Sequence, residues 1–351
     1  TEGPHGVVAM RSQLMYVALG AGLMLMFCTL HPHETLHTAP SDDLTAVTSK
    51  VARLQAEMQR LRARKDTPCP TRGAPKAAPA NYPLTGAASR PVFITGCGHS
   101  GTSIMLRLVG QHPRIFMFKD ETNVFYRGTT KERRAKLDAL EGTFAANRTV
   151  ETRYVEKTPA HVDRIGEALQ VRPMARAVML TRDGRDVVAS LKARRKFPSN
   201  AEARKRADPH WEYAVERYMY ATKATLKAAL DPRVLVVRYE DLVKNTTGTL
   251  KVLFGFLEEE YDEDQILAYH RNQLDYEGAK PDHSKKLSYE KQGDLRVHQQ
   301  IRVNQINQPL YDGTGRYKKP PPEGLTTAQL DNLRANTEFM ELQKQLGYKW
   351  E

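Results

Sequence analysis

Val92-Phe93-Ile94-Thr95-Gly96-Cys97-Gly98-His99-Ser100-Gly101-Thr102-Ser103 is the stretch that decides the fold. An apolar, β-branched run ends in a glycine-rich loop, and Ile104-Met105-Leu106-Arg107-Leu108-Val109 then reads as a helix start. Strand, glycine-rich turn and helix N-terminus together make an anion site. Backbone N–H groups converge, the helix dipole adds partial positive charge, and glycine lets the main chain approach closely. The spacing of Gly96, Gly101 and Ser103 is that of a nucleotide P-loop, but Thr102 stands at the lysine position. Such a loop is poorly suited to a γ-phosphate with its magnesium, yet it still fits a 5′-phosphate.

A second anion grip is legible downstream. Arg176-Ala177-Val178-Met179-Leu180 has a buried-strand pattern, and Arg182 follows at its carboxyl end. Residues 186–191 continue as a helix, with Ser190 about two turns on and Arg194 one further turn along the same face. A guanidinium at the strand end and a hydroxyl on the helix hold a phosphate from two sides. Strand patterns at 92–95, 115–118, 154–156, 177–180 and 234–237 alternate with helical ones at 102–111, 161–169, 186–195, 213–230 and 249–257. That alternation predicts an α/β fold of the P-loop type, three αβα layers around a central parallel sheet, with ligands beyond the strands' carboxyl ends. Residues 327–346 read as one final helix.

Three segments carry a resemblance. Gly98-His99-Ser100-Gly101-Thr102-Ser103 resembles the 5′-phosphosulfate loop of sulfotransferases, which use 3′-phosphoadenosine 5′-phosphosulfate (PAPS) as donor. Leu180-Thr181-Arg182-Asp183-Gly184-Arg185-Asp186-Val187-Val188-Ala189-Ser190-Leu191 is similar to the family's 3′-phosphate motif, and Val237-Arg238-Tyr239-Glu240-Asp241-Leu242-Val243 to its "YEDL" segment. The order is the family's, each motif closes a predicted strand, and the likeness runs from about residue 90 to 319, closest to bacterial-type and Golgi tyrosylprotein- or carbohydrate-type members. It implies PAPS as co-substrate, no metal, and donor contacts from Gly98, His99, Ser100, Gly101, Thr102, Ser103, Arg182, Ser190, Arg194, Tyr239 and Arg316.

Sulfuryl transfer asks for an acceptor held in line, neutralised charge on the leaving oxygen, and a base for the acceptor's proton. Glu121, in Phe118-Lys119-Asp120-Glu121-Thr122-Asn123, follows the second predicted strand and resembles the segment that supplies that base; Asp120 is its rival one residue away. Glu156-Lys157-Thr158-Pro159 resembles the "EKTP" segment, which implies that Lys157 faces the sulfuryl group as an electrophilic stabiliser. His99 stands where most relatives have Lys or Arg. Two roles are open to it: a protonated imidazole in the anion's field, or a bystander that leaves the charge to Lys157. Residues 302–310 and 315–318, including Arg316, resemble the loop that closes over the nucleotide.

The chain's 351 residues carry a net charge of +12, which suits an anionic partner. Lys192, Arg194, Arg195, Lys196, Arg204, Lys205 and Arg206 crowd together, few aromatics are interleaved, and no nucleic-acid motif appears. The cluster reads as a rim for anions or as a solvated helix face, and nucleic acid is not expected as a partner. Residues 14–30 are free of charge and follow Arg11, with no further Lys or Arg until Lys50. They predict a signal anchor, with a cytoplasmic tail of residues 1–13, a span of 14–31, a stem of 32–89 and a lumenal domain of 90–351. A cleaved signal peptide is the competing reading.

Leu44, Val47, Val51, Leu54, Met58 and Leu61 form a heptad seam, so the stem is expected to pair as a coiled coil over about 42–65 before a Pro/Ala-rich linker at 66–89. The three cysteines, Cys28, Cys69 and Cys97, have no metal-ligand spacing, and Cys69 is placed to bridge two stems. Asn147-Arg148-Thr149 and Asn245-Thr246-Thr247 are glycosylation sequons. Together these features predict a Golgi membrane protein of type II topology, homodimeric through its stem. Its acceptor would be a glycan, a protein tyrosine or a small alcohol. A P-loop kinase and a non-enzymatic coiled-coil tether are the alternatives; Thr102 argues against the first, and Glu121 with Lys157 against the second.

Overall fold

Alternate residues of β1 (Val92–Gly96) face opposite cores, and that alternation organises the domain. The computed structural model describes residues 84–194, 208–275, 279–282 and 295–350. In it β1 lies at the middle of a five-stranded sheet with β2 (Ile115–Met117), β3 (Arg153–Lys157), β4 (Arg176–Thr181) and β5 (Val234–Arg238), in the order β2-β3-β1-β4-β5. Every pairing is parallel, with Ile94 opposite Lys157 and Gly96 opposite Leu180. All five strands form where the sequence pattern predicts them, to within a residue or two.

Among the described residues the α-helices are α1 (Thr102–Val109), α2 (Thr130–Asn147), α3 (Ile165–Val171), α4 (Gly184–Ala193), α5 (Pro209–Ala228), α6 (Tyr239–Lys244), α7 (Thr246–Leu257), α8 (Glu263–Leu267), α9 (Leu295–Ile306), α10 (Thr327–Ala335) and α11 (Thr337–Gln345). Val92, Ile94, Val178 and Leu180 pack with Met105, Leu106 and Val109 of α1 and Leu250, Leu253 and Phe254 of α7. Phe93, Ala177 and Met179 pack on the other face with Ile165 and Leu169 of α3, Val187 and Val188 of α4, and Ala214 and Tyr218 of α5. The chain thus leaves β1 toward one face and β4 toward the other. Because β1 and β4 are neighbours, a crevice opens between their carboxyl ends, and both anion motifs converge there.

Four helical readings need correction. Residues 327–346 form two helices, because Asn336 (φ −79°, ψ 97°) leaves the helical region and its side chain caps α11 at the N–H of Phe339. The predicted 161–169 helix begins instead as a 3₁₀ turn, Pro159–His161, with Pro159 at its first position, before α3. Residues 302–306 belong to α9 rather than to a closing loop. Helix α2 went unread, although Thr129 and Glu132 form a reciprocal capping box at its start. Its Glu141 is buried, accepts from Arg172 Nε at 2.7 Å and from Ser89 Oγ at 2.7 Å, and so ties α2 to the approach to β1.

The expected membrane span, the coiled-coil seam and the linker as far as residue 83, with Cys28 and Cys69, lie outside the described residues, as do Arg195, Lys196, Arg204, Lys205 and Arg206; the linker's end is described and forms a 3₁₀ turn, Gly86–Ala88. Among the described residues no helix is long and apolar enough to cross a membrane. Lys192 turns away from any rim, its ammonium bonding Gly324 O at 3.1 Å and Gln329 Oε1 at 3.0 Å. Both sequon asparagines are exposed.

Candidate active site

The loop after β1 is shaped by its glycines. Gly96 has φ +133°, and a Cβ there would lie 2.2 Å from Leu180 O of the neighbouring strand. Gly101, at φ +94°, caps α1 with no side chain, so the first N–H groups of the helix, at Thr102 and Ser103, have no side-chain cap. A Cβ on Gly101 would meet the Tyr239 ring at 2.8 Å. Gly98, His99, Gly101, Thr102 and Ser103 line a cavity of about 1030 Å³ at the carboxyl end of the sheet. Ser100 does not line it; its hydroxyl is buried and has no hydrogen-bond partner among the described residues.

Arg182, Ser190 and Arg194 line the same cavity, and so do Tyr239 and Arg316. The Arg182 guanidinium lies over the Tyr239 ring at 4.5 Å, donates to His99 O at 3.4 Å and to Gly313 O, and pairs with Asp186 at 3.2 Å. Asp186 in turn accepts from the N–H groups of Gly315 and Tyr317 at 2.9 and 3.0 Å. Tyr239 Oη donates to Tyr311 O at 3.1 Å and accepts from Gly313 N at 3.2 Å, and burial pushes its phenol above the usual range. Residues 311–317 are thereby strapped across the 3′-phosphate motif. His99, with φ +73°, turns its imidazole to Ser190, Nδ1 to Oγ 2.8 Å. Arg316 Nε donates to Glu323 O at 3.3 Å.

The base candidate lies on the opposite wall. Glu121 lines the cavity and Asp120, exposed, does not. Lys157 Nζ donates to Glu121 Oε1 at 2.8 Å. The Lys157 side chain is 0% exposed and Glu121 22%, so the ammonium meets the cavity through the carboxylate rather than at an open wall. Two further arrangements build this corner. Glu156, fully buried, accepts from Thr122 Oγ1 at 2.7 Å and Thr158 Oγ1 at 3.0 Å, which fixes the turn that follows Glu121. His161 Nε2 accepts the Phe125 N–H at 3.0 Å, so its proton sits on Nδ1 and is donated to Glu156 Oε1 at 3.1 Å. The other is Arg302 of α9, whose Nη2 lies 3.4 Å from Glu121 Oε1. The Glu-Lys-Thr-Pro run signals the Glu156 network; Arg302 opens the segment that resembles the nucleotide-closing loop, but nothing in the local pattern marks it as a partner of Glu121.

An anionic donor fits these residues. Among the described residues seven cationic side chains line the cavity against three carboxylates, and Arg182 Nε is buried without a hydrogen-bond partner. Loop Cys97 is different in kind: burial pushes its thiol up to about 12. It should resist iodoacetamide at pH 8 in the folded protein and react once unfolded, which peptide mass mapping checks.

Residues 131–263, which hold part of this site, match the model of the sulfotransferase family. The chain is similar to that family over those 133 of its 351 residues. It is an enzyme, a sulfotransferase, and its reaction is sulfuryl transfer. The matched residues include Glu156 and Lys157, the motif from Arg182 to Ser190, and Tyr239; the 97–103 loop, Glu121 and Arg302 lie outside them. Similar solved structures include the sulfotransferase domain from the curacin biosynthetic pathway, 15% identical over 75% of this chain and 99% of that one, with a TM-score of 0.46. The sulfotransferase domain of the Synechococcus PCC 7002 olefin synthase is 16% identical over 75% and 96%, with a TM-score of 0.43. A sulfotransferase from Alicyclobacillus acidocaldarius is 21% identical over 50% and 88%, with a TM-score of 0.37. No curated protein matches the chain.

If Arg182 holds the donor's 3′-phosphate, Arg182→Ala removes a charge-assisted contact worth about 1.5–3 kcal/mol. Affinity of this sulfotransferase for 3′,5′-adenosine bisphosphate should fall roughly ten- to a hundred-fold by calorimetry. Ser190→Ala should cost less, since a neutral hydroxyl contributes a weaker bond.

Proposed function

We propose that this sulfotransferase moves the sulfuryl group of PAPS to an acceptor hydroxyl, with Glu121 as the base. The observation that carries the reading is convergence. One cavity collects the anion loop after β1, the Arg182–Ser190 pair after β4, and a carboxylate beyond β2 that bonds the lysine ending β3. The bound donor would supply an activated sulfur already attached to a good leaving phosphate. Glu121 takes the acceptor's proton as the new O–S bond forms and the bond from sulfur to the 5′-phosphate oxygen breaks. The electron pair stays on that oxygen, which the N–H groups of Thr102 and Ser103 and the positive end of α1 receive. Arg182, Ser190 and Arg194 hold the 3′-phosphate, and Lys157 orients the base.

The outer cavity bears on the acceptor. Tyr213, Arg217 and Tyr220 share one face of α5, opposite Tyr126, Asp163 and Arg164. Tyr126 and Tyr220, about half exposed, offer ring faces at the mouth, which favours an acceptor with a ring of its own, a glycan or a protein tyrosine, over a small aliphatic alcohol. On the sequence features of residues 1–89 we extend the proposal to a lumenal domain in the Golgi, anchored as a type II protein and paired through its stem. Incubation with PAPS and, separately, an acidic glycan, a tyrosine-containing acidic peptide and a simple alcohol tests the reaction. Release of 3′,5′-adenosine bisphosphate is expected with one of the first two. Release with the simple alcohol alone would overturn the acceptor assignment, and none in any arm would count against the transfer itself.

A further inference from the structure

The cation that works at the reacting sulfur need not come from the loop that binds the donor. Thr102 fills the loop's lysine position, His99 is turned to Ser190, Arg182 is stacked on Tyr239, and Lys157 is buried behind Glu121. Among the described residues Arg302 is the cation that lies between loop and base. Its Nε and Nη2 donate to Ser103 Oγ at 3.2 and 3.0 Å, and the same Nη2 lies 3.4 Å from Glu121 Oε1. One planar, partly exposed guanidinium therefore spans the hydroxyl at the start of α1 and the base carboxylate, and it lines the cavity.

Its placement is built into the fold. Arg107 of α1, buried, donates to Ile306 O at the end of α9 and to the carbonyls of Tyr269 and Asn272. Asn307 adds a reciprocal pair with Leu274, accepting its N–H at 2.7 Å and donating to its carbonyl at 2.8 Å. The helix that carries Arg302 is thus fastened to the helix that opens from the anion loop, a rigid support of the kind an electrostatic group requires.

Resting on the sulfuryl-transfer reading above, we propose that Arg302 is a catalytic residue, delivered from the C-terminal part of the chain in place of a loop lysine. It neutralises charge on the oxygens of the transferring sulfuryl group while holding Glu121 toward the acceptor. Arg302 forms and breaks no covalent bond; the acceptor's proton still goes to Glu121 and the leaving electron pair to the 5′-phosphate oxygen.

The test uses the full chain with Arg302→Ala and Arg302→Lys. Arg302→Ala should lower kcat by about 10²–10³-fold with the acceptor KM little changed, the size seen when one transition-state donor is removed. Affinity for 3′,5′-adenosine bisphosphate, read by calorimetry without turnover, should weaken by about ten-fold, because the guanidinium also borders the 5′-phosphate site through Ser103. Millimolar guanidinium should recover at least ten-fold of the lost rate, and Arg302→Lys should retain an intermediate rate. A merely structural arginine gives neither rescue. Arg302→Ala with kcat within three-fold of the parent, or a loss that guanidinium and lysine both leave unrepaired, overturns the assignment. If the parent itself transfers nothing, the function above fails, and the calorimetric arm still decides whether Arg302 serves the anion site: unchanged bisphosphate affinity sinks it.

Discussion

Glu121→Gln should slow sulfuryl transfer by about 10²–10⁴-fold while 3′,5′-adenosine bisphosphate binds as it does to the parent. The amide cannot accept the acceptor's proton, yet it keeps an oxygen where Lys157 and Arg302 now donate. That retained acceptor matters, because Lys157 is fully buried and an uncompensated ammonium there would cost stability on its own. Melting temperature measured beside turnover separates the two effects, and the variant should melt close to the parent. Glu121→Ala, which strands the lysine, should lose both rate and stability. Turnover that survives in Glu121→Gln and disappears in Asp120→Asn would move the base one residue back, although Asp120 lies off the cavity wall.

Gly96→Ala should be strongly damaging for a single methyl group. Its Cβ would stand 2.2 Å from Leu180 O and 2.9 Å from Leu180 N, backbone atoms of the strand paired to β1, and φ is +133°. Neither partner can yield without parting β1 from β4, so about 3–5 kcal/mol should be lost in urea unfolding. The crevice between those strands is the proposed donor site, so bisphosphate binding should fall with it. A loss below about 1 kcal/mol would mean that the loop relaxes in a way this packing does not allow. Gly142, at which an added Cβ meets nothing, is the matched control on α2.

How much of this could be read from residues alone follows from the range of the interactions involved. The strands were legible because each is a short apolar run, and Val92, Phe93, Ile94, Val178 and Leu180 are fully buried. The site residues that close a strand or open a helix, such as Arg182 and Ser190, were legible for the same reason: position along a strand fixes which end of the sheet they reach. Strand order was not, since the neighbours of β1 are β3 and β4, set by packing far along the chain. Helix α2 hid behind a charged sequence whose burial falls on Arg133, Leu137, Glu141 and Phe144, and the Glu141–Arg172 pair that anchors it joins residues with no local relation. The resemblance of 302–310 to a nucleotide-closing loop puts Arg302 near the donor, but its contacts with Ser103 and Glu121 were hidden for a similar reason. Its helix is polar on most sides, and nothing local shows that Arg107, 195 positions earlier, holds that helix against the anion loop. Lys157 shows the other limit: the motif marks the residue, while only the structure sets its ammonium behind Glu121.

The central claim is that the two anion grips bind a nucleotide carrying phosphates at both its 3′ and 5′ positions. Calorimetric titration of the full chain with 3′,5′-adenosine bisphosphate, beside 5′-ADP and ATP under the same conditions, tests it most directly. A 3′-phosphate held by Arg182, Ser190 and Arg194 should give at least a ten-fold preference for the bisphosphate, about 1.4 kcal/mol or more, and Arg182→Ala should erase most of it. Equal affinity for all three nucleotides, or tighter binding of ATP, would contradict the account.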